Sequence, residues 1–154
     1  MLKLAELIDP DLICLDLQAR TKGKVFEEMI GVMSKSDKVL NTEEFTRALQ
    51  DRENLATTGI GRGVAFPHAR TASVDGIVIA FGRSQKGVEF DPLDGEPVHL
   101  IFMMGTSPEC VEEYLKVLAR ISRMLRKGNA KELLFEAKNP EDVLEIVRKI
   151  DEET

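Results

Sequence analysis

The sequence predicts an α/β fold, a single mixed β-sheet flanked by helices on both faces, and three observations carry that expectation. Apolar residues recur at helical spacing: Phe26, Met29, Ile30 and Met33 fall at i, i+3, i+4 and i+7. Two apolar runs bounded by turn residues, 76–82 (GIVIAFG) and 98–104 (VHLIFMM), read as buried strands. The two kinds of segment alternate along the chain, and a sheet covered by helices is the layered solution to such alternation.

The elements follow in order. Leu2, Leu4 and Leu7 precede the turn residues Asp9-Pro10-Asp11 and predict a short opening helix or turn. The alternation through Ile13, Leu15 and Leu17 predicts a short strand over 12–17. The stripe at Phe26 predicts a helix over 22–36. Asn41-Thr42-Glu43-Glu44 has the form of an N-cap followed by first-turn acids. The helix it opens should bury Phe45, Ala48 and Leu49 and end near Asn54. Glycines at 59, 61 and 63 forbid a helix interior over 56–70, which reads as a loop followed by a short strand ending at His68. Asp91-Pro92 and Asp94-Gly95 punctuate the connection between the two apolar strands. Ser107-Pro108-Glu109 combines a capping hydroxyl, a first-position proline and an acid. The helix it starts has Val111, Leu115, Leu118, Ile121, Ser122 and Leu125 as its inner face and stops at Gly128. A short helix over 130–137 follows. The last helix opens at Asn139-Pro140-Glu141-Asp142 and faces inward through Val143, Ile146, Val147 and Ile150.

Length and composition bound the function. The 154 residues fit one domain, 1–154, and 43% hydrophobic with 31% charged residues is ordinary globular composition. A net charge of −6 argues against nucleic acid or an anionic membrane surface as the main partner, while leaving room for a local basic site. The opening MLKLAELIDPDLI is short and carries acids, so neither a signal peptide nor membrane insertion is expected, and the location expected is cytoplasmic. Cys14 and Cys110 are spaced as neither a metal site nor a redox pair and read as free thiols.

One segment carries chemistry. Between Thr57 and Val74 there is no Asp or Glu, although 27 acids in 154 residues would put about three there. The same stretch holds Arg62, His68 and Arg70, with Arg52 just upstream. Closely spaced glycines let backbone N–H groups approach an anion, and arginine adds forked, charge-assisted hydrogen bonds. No lysine follows the glycines, so this is neither a nucleotide P-loop nor a dinucleotide fingerprint. Neutral imidazole is a good nucleophile towards phosphorus near pH 7. Pro67 restricts the backbone beside His68 and favours a fixed imidazole. Two readings of the residues stay open at this level: an anion site with a nucleophilic histidine in it, and a glycine-rich turn whose histidine hydrogen-bonds its own loop.

The run ATTGIGRGVAFPHAR, preceded by Arg52-Glu53, resembles the phosphorylation-site signature of the fructose/mannitol-type enzyme IIA family of the sugar phosphotransferase system, which includes nitrogen-regulatory IIA proteins. The matching positions are Thr57, Thr58, Gly59, Ile60, Gly61, Gly63, Ala65, Pro67 and His68. The resemblance implies a phosphotransferase component with a phosphohistidine intermediate. His68 would take a phosphoryl group from the phosphohistidine of HPr and pass it to a IIB domain. Arg52 would neutralise the phosphoryl oxygens, and Thr58, Gly59, Gly61, Arg62 and Gly63 would supply further donors, with no metal or other cofactor. Many relatives carry a second histidine where this chain has Tyr114, which can donate a hydrogen bond but is no cation at neutral pH. That departure tilts the expectation towards a regulatory module whose phosphorylation state controls binding to a target protein. A simple anion binder in which His68 is never phosphorylated is the third expectation.

Other residues read more plainly. His99 is either a strand histidine satisfied by hydrogen bonds or an orienting partner of His68. Arg62 and Arg70 either contact phosphate, steer a partner, or are solvated. Arg120, Arg123, Arg126 and Lys127 suit the C-terminal end of a helix dipole or form a partner patch. Met29, Met33, Met103, Met104 and Met124 read as core filler, and the closing DEET as a frayed, solvated end.

Overall fold

The computed structural model describes residues 3–90, 95–126 and 128–152, with the backbone alone at Ile60. Leu2, Lys127, the turn residues Asp91, Pro92 and Asp94, and the last two residues of DEET lie outside the described residues. The order of elements is α1 (Leu4–Leu7), β1 (Ile8–Cys14), α2 (Lys22–Met33), α3 (Thr42–Leu55), β2 (Gly59–Gly61), β3 (Val64–Ala65), β4 (His68–Arg70), β5 (Ile77–Val88), β6 (Val98–Thr106), a 3-10 turn (Pro108–Cys110), α4 (Val111–Arg126), α5 (Ala130–Glu136) and α6 (Pro140–Glu152).

The strands form one mixed sheet in the order β1-β5-β6-β3-β2, with β4 also paired to β6. β5 and β6 are antiparallel, β1 runs parallel to β5, and β3 and β4 lie end to end, parallel to the other edge of β6. Period-two alternation then sorts the side chains to two cores. Ile77, Ile79, Phe81, Leu100, Phe102 and Met104 pack beneath α1, α4, α5 and α6. Val78, Ala80, Ile101 and Met103 pack beneath Phe26, Met29 and Met33 of α2 and Phe45 and Leu49 of α3. The expected sheet with helices on both faces is therefore present, and all five methionines expected in the core are buried.

Local departures have physical causes. Asp9-Pro10-Asp11 is no turn ahead of a strand over 12–17; it lies inside β1, where pairing jumps from Ile8–Ile79 to Ile13–Phe81. A bulge on an edge strand accommodates the proline, and Asp11 N–H donates to Asp9 Oδ1 at 2.8 Å. The strand expected over 76–82 continues to Val88. The polar residues hid that extension: Arg83 is 7% exposed and donates to the carbonyls of Leu15, Leu134, Phe135 and Ala137, so a cation there ties β1 and the end of α5 to the sheet. Ser107 makes no capping bond, and its buried hydroxyl has no partner among the described residues. The inner stripe of α4 is Tyr114, Val117, Ile121 and Met124, while Leu115 is 54% exposed.

The C-terminal acids are not all solvated. The Asp151 carboxylate is buried, accepts the N–H groups of Leu4 and Ala5 at 3.0 and 3.1 Å, and pairs with Arg120 at 2.9 Å. It caps α1 from the end of α6 and gives Arg120 a structural partner. Asp151→Ala is expected to lower unfolding free energy by about 3 kcal/mol, measured by urea denaturation, because it removes the ion pair with Arg120 and takes the acceptor from the two α1 amides.

Candidate functional site

Asn41 starts α3 by accepting Glu44 N–H at 3.1 Å. Gly105 lets the helix sit close to the sheet, since a Cβ there would come within 2.8 Å of the Phe45 ring. Arg52 lies seven residues after Phe45, on the same stripe of the helix, and reaches the open end of β4. Its guanidinium donates to the Ala56 carbonyl at 2.9 Å, closing the helix C-terminus with a favourable charge.

The neighbouring side chain, Glu53, turns into the loop. Its carboxylate, 8% exposed, accepts Thr58 N–H at 2.8 Å and the Thr58 hydroxyl at 2.6 Å, and pairs with Lys22 Nζ at 2.7 Å. Thr57 Oγ1 accepts Gly59 N–H at 3.0 Å, and Thr58 O accepts Phe66 N–H at 3.0 Å. β2 and β3 then form a hairpin across Arg62-Gly63, with φ of 57° and 80°. A two-residue turn with positive φ at both centres matches strand twist, and it explains the glycine at 63.

β4 begins at His68, whereas the sequence suggested a strand ending there. Pro67 has no N–H for the ladder and so separates β3 from β4. Its carbonyl still accepts Met104 N–H at 2.9 Å, and pairing resumes at His68–Met104. His68 is half-buried, with Nδ1 2.8 Å from the Phe66 carbonyl. A carbonyl can only accept, so Nδ1 carries the proton and Nε2 keeps its lone pair. Burial lowers the His68 pKa below 6.5 against the opposing effect of the Phe66 hydrogen bond; the Arg52 charge lowers it further and Glu53 opposes. The neutral imidazole is thereby favoured near pH 7.

Tyr114, from the first turns of α4, packs its ring 5.8 Å from the His68 ring. Its hydroxyl is buried and has no partner among the described residues. Burial pushes its pKa far up while the Arg52 charge opposes, so it stays a neutral donor.

His68, Arg52 and Tyr114 thus converge, with Arg70 exposed two residues on, on the same face of β4. The other candidates lie differently. Both Thr58 donors are engaged by Glu53, and Gly59 N–H by Thr57. Gly61, Arg62 and Gly63 sit at the hairpin beside His99: the Gly63 carbonyl accepts His99 N–H and Leu100 N–H at 2.8 and 3.0 Å, and Lys131 Nζ donates to Arg62 O at 3.0 Å. His99 does not reach His68. It precedes Met104 by five residues on β6, about 17 Å of strand, and its Nδ1 contacts Ser84 O at 2.8 Å. Among the described residues no group of three His, Cys, Asp or Glu side chains is placed to hold a metal ion. Glu53 and Lys22 were missed as contributors. Glu53 stands in the Arg-Glu signature; Lys22, at a helix start, carries no signal in the sequence.

A model of the family described as the phosphoenolpyruvate-dependent sugar phosphotransferase system, EIIA 2, matches residues 6–150. The chain belongs to this family. Among EIIA 2 relatives, it is 36% identical over 150 residues to the fructose-specific EIIABC component of Bacillus subtilis, covering 97% of this chain and 24% of that longer protein. It is 32% identical to the fructose-specific EIIA component of Haloferax volcanii, covering 91% of each chain. The crystal structure of nitrogen regulatory protein IIA-Ntr from Neisseria meningitidis superposes with a TM-score of 0.87 at 32% identity, covering 94% of this chain and 98% of that one. The chain is thus similar both to fructose-specific EIIA proteins and to a nitrogen regulatory IIA protein.

The geometry makes a pH prediction. A histidine whose folded pKa lies below its unfolded value of 6.5 withholds a proton that the unfolded chain takes up. Its contribution to stability is therefore whole above pH 6.5 and declines as pH falls from 6.5 towards the folded pKa. An NMR titration should place the His68 midpoint below 6.5, and Arg52→Gln should move that midpoint upward.

Proposed function

We propose that the chain, as one EIIA type-2 domain over 1–154, is a phosphocarrier that receives a phosphoryl group on His68 Nε2 from an HPr-like phosphohistidine and passes it to a IIB domain. The observation that carries this reading is the Nδ1 contact with Phe66, which leaves Nε2 as the nucleophile. The Nε2 lone pair forms the new P–N bond while the bond from phosphorus to the donor's imidazole breaks, and that electron pair returns to the donor nitrogen. Nδ1–H stays on the Phe66 carbonyl, so no proton need leave His68. Arg52, with guanidinium N–H groups beyond the one on Ala56, balances the charge on the phosphoryl oxygens. Tyr114 offers its hydroxyl to the same oxygens, and Arg70 steers the acidic or phosphorylated face of a partner. Leu55 beside Arg52 and Leu115 beside Tyr114 are 82% and 54% exposed, which suits docking of a protein rather than a small molecule alone.

A second reading is a nitrogen-type regulatory module, in which the same phosphorylation switches contacts with a target protein. The match to the IIA-Ntr structure and the tyrosine at 114 favour it. Both readings need no metal or other cofactor. No helix among the described residues is long and apolar enough to cross a membrane, and the reading places the working chain in the cytoplasm with protein partners.

The test is incubation with enzyme I, HPr and phosphoenolpyruvate. An acid-labile mass gain of one phosphoryl group should appear and be abolished in His68→Ala; a wild type that gains nothing with matched partners sinks the carrier reading. Arg52→Gln should slow the gain by about 100-fold. Tyr114→Phe should speed hydrolysis of the phosphohistidine by about 2- to 10-fold, the worth of one hydrogen bond, followed by phosphorus NMR.

A further inference from the structure

His68 is held by a chain of contacts that starts far from its ring. Lys22 Nζ, 4.9 Å above the Phe90 ring, pairs with the buried Glu53 carboxylate at 2.7 Å. Glu53 takes both donors of Thr58, the amide at 2.8 Å and the hydroxyl at 2.6 Å. The Thr58 carbonyl takes Phe66 N–H at 3.0 Å, and the Phe66 carbonyl takes His68 Nδ1–H at 2.8 Å. On the far side, Pro67 O is pinned by Met104 N–H at 2.9 Å. The acceptor that selects the His68 tautomer is thus fixed between two backbone hydrogen bonds. One of them depends on β6. The other depends on a loop residue whose two donors are both held by Glu53.

We infer that Glu53 is a positioning residue for phosphoryl transfer: through Thr58 and Phe66 it fixes the His68 imidazole in the Nδ1–H tautomer with Nε2 presented to phosphorus. Charge explains why an acid stands just ahead of the acid-free run 57–74. A carboxylate has lone pairs for Thr58 N–H, Thr58 O–H and Lys22 together, and Lys22 compensates its burial. No neutral side chain satisfies all three. A small displacement of a reacting group is enough to lose about two orders of magnitude in rate. The rate consequence rests on the carrier reading above; the tautomer consequence does not.

The experiment pairs Glu53→Gln with the wild type and reads two quantities, the rate of phosphorylation by phospho-HPr and the nitrogen-15 shifts of the two His68 ring nitrogens. Glutamine offers one acceptor oxygen where the carboxylate offers two, so part of the Thr58 and Lys22 anchor must fail. The expected result is a rate lowered about 10- to 100-fold, together with ring shifts that change from one tautomer to a mixture. A merely structural role would leave the ring nitrogens as in the wild type. An unchanged rate, or a lowered rate with unchanged ring nitrogens, overturns the inference. If Glu53→Gln does not fold, Thr58→Val removes the hydroxyl alone. It should lower the rate about 3- to 10-fold with a smaller tautomer shift, and unchanged ring nitrogens there overturn the inference equally. If the wild type accepts no phosphoryl group, the carrier reading fails and the ring nitrogens alone decide the role of Glu53.

Discussion

The 2.8 Å contact between His68 Nδ1 and the Phe66 carbonyl is the constraint around which the site is arranged. It decides the tautomer, and the tautomer decides which nitrogen keeps its lone pair. Its geometry depends on backbone rather than on another side chain. Carbonyl orientation therefore has to be secured by the fold, and the fold does so twice, once through the sheet and once through the loop. The half-burial lowers the pKa against the opposing effect of this contact: burial keeps the ring neutral, and the contact aims it.

β6 acts as a ruler for the molecule. It pairs with β5 on one side and with β3 and β4 on the other, so the hairpin and the histidine are placed at set heights along one strand. That separation divides a single continuous run of residues into two locations. The hairpin end, with Arg62, Gly63 and His99, is a folding device built on positive φ. The β4 end, with His68, collects Arg52 from α3 and Tyr114 from α4. Helices on opposite faces of the sheet thus meet the same strand end.

Much of this was legible in the sequence, and the exceptions are instructive. The helices with a clean apolar stripe and the two hydrophobic strands were readable because burial on one face imposes a period. The hairpin was not, because its strands are two and three residues long, too short to show a period. β5 seemed to end at Gly82 because Arg83 looks like a surface residue until its four carbonyl acceptors are in view. The pairing of His68 with Arg52 was legible from the signature, as was Tyr114 as a departure from it. The Glu53 anchor was only half legible: the residue stood in the motif, but its purpose depends on Thr58, Phe66 and Lys22 converging in space. Asp151 was misjudged for a similar reason, since acids near a chain end are solvated unless amides from the other end arrive to meet them.

That last contact has a consequence for how the domain can be wired into larger proteins. One carboxylate bridges the first helix and the last, so residues 4 and 151 are held within hydrogen-bonding distance of each other. Segments attached before α1 or after α6 would leave from a common patch of surface. A circular permutant would need only a short linker to rejoin the original ends, and a new opening could be cut elsewhere without stretching the old one. A module with adjacent ends can also be spliced within a longer polypeptide as readily as it can be appended to one.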